Sequence, residues 1–117
     1  MHRQKRIFDW SVETYGPSAA TFDERALRFL EEALELAQAC GIEEDMVGRL
    51  AARVYEQEPG PVFKELGQTA LTLEALSECR NTDLDEAANA EFEQIEGLPK
   101  SHFEARHAAK VARGIAS

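Results

Sequence analysis

The chain has 117 residues, enough for one compact domain with a modest core. Lys and Arg number 13 against 22 Asp and Glu, a formal net charge of -9, which repels phosphate backbones and excludes a general nucleic-acid polymer as partner. No apolar run approaches the ~18 residues of a membrane span and no signal-peptide pattern follows Met1, so a cytoplasmic chain with no membrane partner is expected.

Met1 to Arg6 are polar and basic and are expected to be loose. The segment Phe8 to Tyr15 follows as a short helix or extended arm and ends at the breaker Gly16-Pro17. Its aromatics Phe8, Trp10 and Tyr15 either pin the arm to the body of the protein or offer a ring, Trp10 above all, that stacks on a planar ligand. The first long helix is expected from Thr21, an N-cap with Glu24 as its capping-box partner, to Cys40, with Gly41 just past its end.

That helix is apolar on two adjacent faces, Leu27, Leu30, Leu34 and Ala37 on one and Phe29, Ala33, Leu36 and Cys40 on the other. Between them runs a narrow strip with Glu31, Glu32 and Glu35 in an E-E-x-x-E pattern, and Arg28 one turn before Glu32. Glu32 and Glu35 are i, i+3 and Glu31 and Glu35 are i, i+4, so all three reach one cleft. Such a strip is either the solvated edge of a buried helix, stiffened by Arg28, or a row of hard oxygen ligands for divalent cations.

A second helix is expected over Glu43 to Tyr55, with acids in its first turn and Met46, Leu50 and Val54 inward. After the loop Glu56 to Pro61, a third runs to Cys79 with Val62, Phe63, Leu66, Ala70 and Leu73 on one face and Glu65, Gln68, Thr69 and Thr72 in a polar row beside it. Asn81-Thr82-Asp83 breaks the chain, and Thr82 or Asp83 caps a fourth helix with Leu84, Ala87, Ala88, Phe92 and Ile95 inward. Past Gly97-Leu98-Pro99, the last helix from about Ser101 groups His102, Arg106, His107, Lys110 and Arg113, with Lys100 just before it. These bases either complement the helix C-terminus and acidic neighbours or form a phosphate grip. Cys40 and Cys79, without a C-x-x-C pair, read as packing residues in a reducing compartment. With no strand pattern and no repeat, an all-α helical bundle of four to five helices is expected.

The E-E-x-x-E helix followed by a helix bearing Glu65-Leu66-Gly67-Gln68 resembles the paired motifs of the MazG-like all-α NTP pyrophosphatases, from about Phe8 to Lys110. The surrounding R-A-L-R-F-L-E-E-A-L-E-L-A, E-L-G-Q-T-A-L-T-L and N-T-D-L-D-E-A-A-N-A-E-F-E-Q-I are similar too, most of all to the short phage-encoded members, of which the MazZ type hydrolyses dGTP or GTP. The family's E-x-x-D ends here in Gln68, a neutral amide in place of an anionic ligand, and the gap between motifs is long for the family.

The resemblance implies a single domain over 1–117, with an N-terminal arm (1–20), a metal-binding helical core (21–96) and a C-terminal basic helix (97–117). It implies Mg2+ or Mn2+ held by Glu32, Glu35, Glu65 and Gln68, and hydrolysis of a nucleoside triphosphate at its α-phosphate to monophosphate and pyrophosphate. Glu31 would accept the proton of the attacking water, and Lys100, Arg106 and Lys110 would hold the leaving pyrophosphate. Base selection would fall to Trp10 or the loop from Glu56 to Pro61, and relatives assemble as dimers or tetramers with shared sites. Two other readings stand beside it: a non-enzymatic acidic helical interaction protein with a decayed metal site, and, less in keeping with the charge, a metal-dependent nuclease or phosphodiesterase.

Overall fold

The computed structural model describes residues 2–116, and among them there is no strand. Six α-helices run in order: α1 (His2–Tyr15), α2 (Phe22–Ala39), α3 (Glu44–Tyr55), α4 (Val62–Cys79), α5 (Leu84–Glu96) and α6 (Lys100–Ala112), with a 3-10 turn at Pro17–Ala20 between α1 and α2. The class is all-α, as the sequence leads one to expect. The helix count passes four to five because the arm is itself helical. Residues His2 to Arg6, expected to be loose, form the first turns of α1, where Lys5 lies 3.1 Å from Asp9 one turn on. Among the described residues no helix is long and apolar enough to cross a membrane.

Local chemistry accounts for the helix ends. Thr21 caps α2 by accepting from the Glu24 N–H at 3.3 Å. The reciprocal half of the expected capping box is absent: the Thr21 N–H donates to the Ser18 carbonyl, and the Glu24 carboxylate is buried against Arg28. Asp83, not Thr82, caps α5, accepting from the Glu86 N–H at 2.9 Å. Pro61, the last residue of the expected loop, sits at the N-cap of α4.

Helices α2, α4 and α6 stop in one way, a left-handed residue followed by a backward hydrogen bond. Gly41 (φ 89) precedes Ile42, whose N–H donates to Ala37; Asn81 (φ 54) precedes Thr82, which donates to Ser77; Gly114 (φ 75) precedes Ile115, which donates to Lys110. The turn that ends α6 thereby fixes the Ile115 carbonyl.

The chain divides into two compact units, Met1–Val47 with Leu98–Ser117, and Gly48–Gly97. In the first, α1 packs on the 3-10 turn and on α6, and α2 packs on the 3-10 turn. Gly16 (φ 92) makes the reversal that folds this turn back, burying Ala19. The α1–α6 contact is aromatic: the Trp10 ring meets Phe103 at 5.0 Å and Tyr15 at 6.0 Å, edge to face, while Tyr15 meets His107 at 5.5 Å. Phe103 is buried at its centre.

The second unit contains the rest of α3, α4 and α5, with Phe92 buried. The inward faces expected of α2, α3 and α4 are not buried within a single chain. Leu30, Leu34, Leu50 and Leu66 are all exposed, and Phe63 is 91% exposed. Two short units of a few helices have too little interior to cover so many apolar side chains.

Candidate functional site

The carboxylate strip of α2 lies in the first unit, and its three members have different surroundings. Glu31 is engaged: its Oε1 receives Lys110 Nζ at 2.8 Å and Arg28 Nη1 at 3.1 Å. The hydrogen bond from Lys110, aided by the nearby Arg28 and Arg106 charges, holds its carboxyl below the ordinary carboxylate value. Glu32, one residue on, goes the other way. Local burial first, then the neighbouring carboxylates of Glu35 and Glu31, push it above the ordinary value even though its side chain still reaches solvent. Glu35 is exposed and forms one wall of an open cleft of about 590 Å³ at the α2–α3 corner. Leu34, Ile42 and Val47 give that cleft an apolar lining, with Gln38, Glu43 and Glu44 as its other polar groups.

Arg28 joins the strip to the rest of the unit. Its Nε lies 3.2 Å from Oε2 of Glu24, a carboxylate only 2% exposed, and its Nη2 donates to the Ile115 carbonyl. Arg28 Nε and Glu24 Oε2 are close enough for an ion pair without being aligned as a hydrogen bond, and Glu24 Oε1 is buried with no hydrogen-bond partner. Arg25, 4.0 Å from Glu24, donates through Nη1 to Ser11 Oγ at 3.3 Å, which ties α2 to α1. Helical spacing leaves Glu31 or Glu32 as the partner of Arg28, and the structure pairs it with Glu31. The sequence gives no sign that Glu24 is a buried anion or that a carbonyl after α6 takes the far side of the guanidinium.

Of the three bases expected to hold pyrophosphate, Lys110 reaches the strip and Arg106 lies one turn before it. Lys100, exposed at the first position of α6, is about 15 Å away along the helix axis, too far to share one small anion with Lys110. Trp10 is half-buried, with its ring set against Tyr15 and Phe103, the pinning arrangement of the two that the sequence allows.

In the second unit, Glu65 and Gln68 are exposed one turn apart on α4. The Glu65 carboxylate folds back over Gly60, where even a Cβ would collide with its Oε2. Thr69 donates to the Glu65 carbonyl at 2.7 Å and Thr72 to that of Thr69 at 2.9 Å, so the two threonines of the polar row are satisfied by their own helix. Among the described residues, no three His, Cys, Asp or Glu side chains are gathered so as to hold a metal ion. No family model, curated protein or solved structure matches the chain.

Proposed function

We propose that the protein is a metal-dependent nucleoside triphosphate pyrophosphohydrolase that releases a monophosphate and pyrophosphate, with dGTP or GTP as the first substrates to try. The observation that carries this reading is the placing of Glu32 and Glu35 one turn apart on one strip of α2, where burial first and then the neighbouring carboxylates raise Glu32. Crowded carboxylates of this kind are relieved by a hard cation. Glu32 and Glu35 offer hard carboxylate oxygens of the kind Mg2+ or Mn2+ takes, and in the second unit Glu65 offers another and Gln68 a neutral one. Glu31 does not fit as a ligand or as the proton acceptor, because Lys110 and Arg28 already neutralise it and its lowered pKa makes it a weak base.

A bound cation would polarise the α-phosphate and lower the pKa of water. The chain's own residues would do the rest. Arg106 and Lys110 balance the charge of the polyphosphate. The apolar cleft beside Glu35 admits a nucleoside, whose base can hydrogen-bond to Gln38.

The exposed apolar faces of α2, α3 and α4 favour assembly with further copies of the chain, as a dimer or tetramer. The same faces favour the runner-up, a non-enzymatic helical interaction protein.

The deciding experiment measures pyrophosphate release from the eight ordinary NTPs and dNTPs with magnesium, manganese or chelator, for wild type and Glu35→Gln. Chelator-sensitive release that the variant loses supports the enzyme. No release from folded protein with any nucleotide transfers the proposal to the interaction protein.

A further inference from the structure

Two cations converge on one oxygen in this chain. Lys110 Nζ at 2.8 Å and Arg28 Nη1 at 3.1 Å both point at Glu31 Oε1, from different helices. All three side chains are partly withdrawn from water, at 16% exposure for Arg28, 24% for Lys110 and 26% for Glu31. Arg28 does not depend on Glu31 for its position, since Glu24 and the Ile115 carbonyl hold it at two other points. Removing the Glu31 carboxylate would therefore leave a set guanidinium nitrogen and an ammonium facing the place its oxygen had held.

We propose that Lys110 and Arg28 form an anion seat which Glu31 fills from within the chain, and that an oligophosphate enters it by displacing the Glu31 carboxylate. A terminal phosphate group carries more charge than a carboxylate and presents more acceptor oxygens, so it competes well for an ammonium and a guanidinium held side by side. The positive charge of Arg106, one turn from Lys110, adds to the attraction. Once displaced, the Glu31 carboxylate no longer has Lys110 and Arg28 to offset its charge, one turn from Glu35. Phosphate binding in the seat thus strengthens the strip's hold on cations, and by linkage a cation on the strip strengthens the seat's hold on phosphate. The identity of the ligand as a nucleotide's phosphate chain rests on the pyrophosphohydrolase reading. The seat itself rests on the geometry of Arg28, Glu31 and Lys110.

The test is calorimetric binding of inorganic pyrophosphate in chelator, which requires neither metal nor turnover. Glu31→Gln, checked for wild-type helix content, exchanges the charged acceptor for a neutral amide that phosphate displaces more easily, and is expected to bind pyrophosphate about tenfold more tightly than wild type. The double variant Glu31→Gln, Lys110→Met is expected to lose the gain. Equal affinity in Glu31→Gln and wild type, or a gain that survives in the double variant, overturns the seat. If Glu31→Gln fails to fold alone, recovery of its helix content with pyrophosphate but not with chloride at equal ionic strength supports the seat, and recovery with neither overturns it. Nucleotide hydrolysis by wild type without a gain in Glu31→Gln would remove the seat and leave the enzyme reading standing. A gain in a protein that hydrolyses no nucleotide would do the reverse.

Discussion

Lys110 Nζ lies 2.8 Å from Glu31 Oε1, a pair that closes a loop of 79 positions and fastens α6 to α2 within the first unit. Because both groups are only partly exposed, the pair is screened less than a surface ion pair. Lys110→Met is expected to cost about 1 kcal/mol, read as a lower urea midpoint with an unchanged slope. A reduced slope would mean instead that α6 has come away from α2 before the main transition.

The two neighbouring carboxylates give opposite pH signatures. Glu31 is lowered in the folded chain, so its contribution to stability is present above the ordinary carboxylate pKa and fades as pH falls through its lowered folded value. Wild type should therefore lose stability on acidification more steeply than Glu31→Gln, measured by urea unfolding at stepped pH. Parallel curves would show that the Lys110 contact does not perturb Glu31 in solution.

Glu32 is raised, so the sign reverses. Its favourable contribution is complete below the ordinary carboxylate value and is lost as pH rises through the raised folded value. At neutral pH the crowded carboxylate works against folding, and Glu32→Gln is expected to melt higher than wild type while losing the metal-dependent activity. A lower melting temperature at neutral pH would show that the strip is not strained by its own charge.

How much of this could be read from the sequence depends on distance along the chain. The helix stops at Gly41, the break at Asn81-Thr82-Asp83 and the cap at Thr21 are local, and backbone sterics with short-range hydrogen bonds are enough to place them. Helical spacing also narrows the partner of Arg28 to Glu31 or Glu32, and the contact with Lys110 from α6 goes with the choice of Glu31. The burial of Glu24 and its diversion from the capping box to Arg28 depend on how α1, the 3-10 turn and α6 fold over it, which no periodicity encodes. The helical start of α1 was obscured by its polar composition. The exposed faces of α2 to α4 follow the expected apolar pattern, but the pattern says only that they prefer to be covered, not by what.

The aromatic contact between α1 and α6 gives a clean spectroscopic test. Trp10 is the sole tryptophan, and its ring rests 5.0 Å from buried Phe103. Phe103→Ala should cost about 3 kcal/mol and shift the Trp10 emission to the red as water reaches the indole. Unchanged emission would place Trp10 outside this contact in solution and free its ring for a ligand.

The last prediction concerns what covers the exposed helices. Leu66 is 66% exposed and Phe63 91% on α4, and Leu50 and Val54 of α3 are more than half exposed in the same unit. Apolar surface on that scale is the kind that obligate homo-oligomers bury between copies, and self-association is the outcome expected here. Net charge opposes such association, so it should be tighter at higher ionic strength, where that repulsion is screened. In sedimentation velocity the wild type is expected to run as a dimer or tetramer, and Leu66→Glu to shift it toward monomer, because an interface core cannot desolvate an unpaired carboxylate. If Leu66→Glu leaves the sedimentation coefficient unchanged, the α4 face is not the interface. If the wild type is monomeric at all salt concentrations, these helices await a different protein and the interaction reading gains.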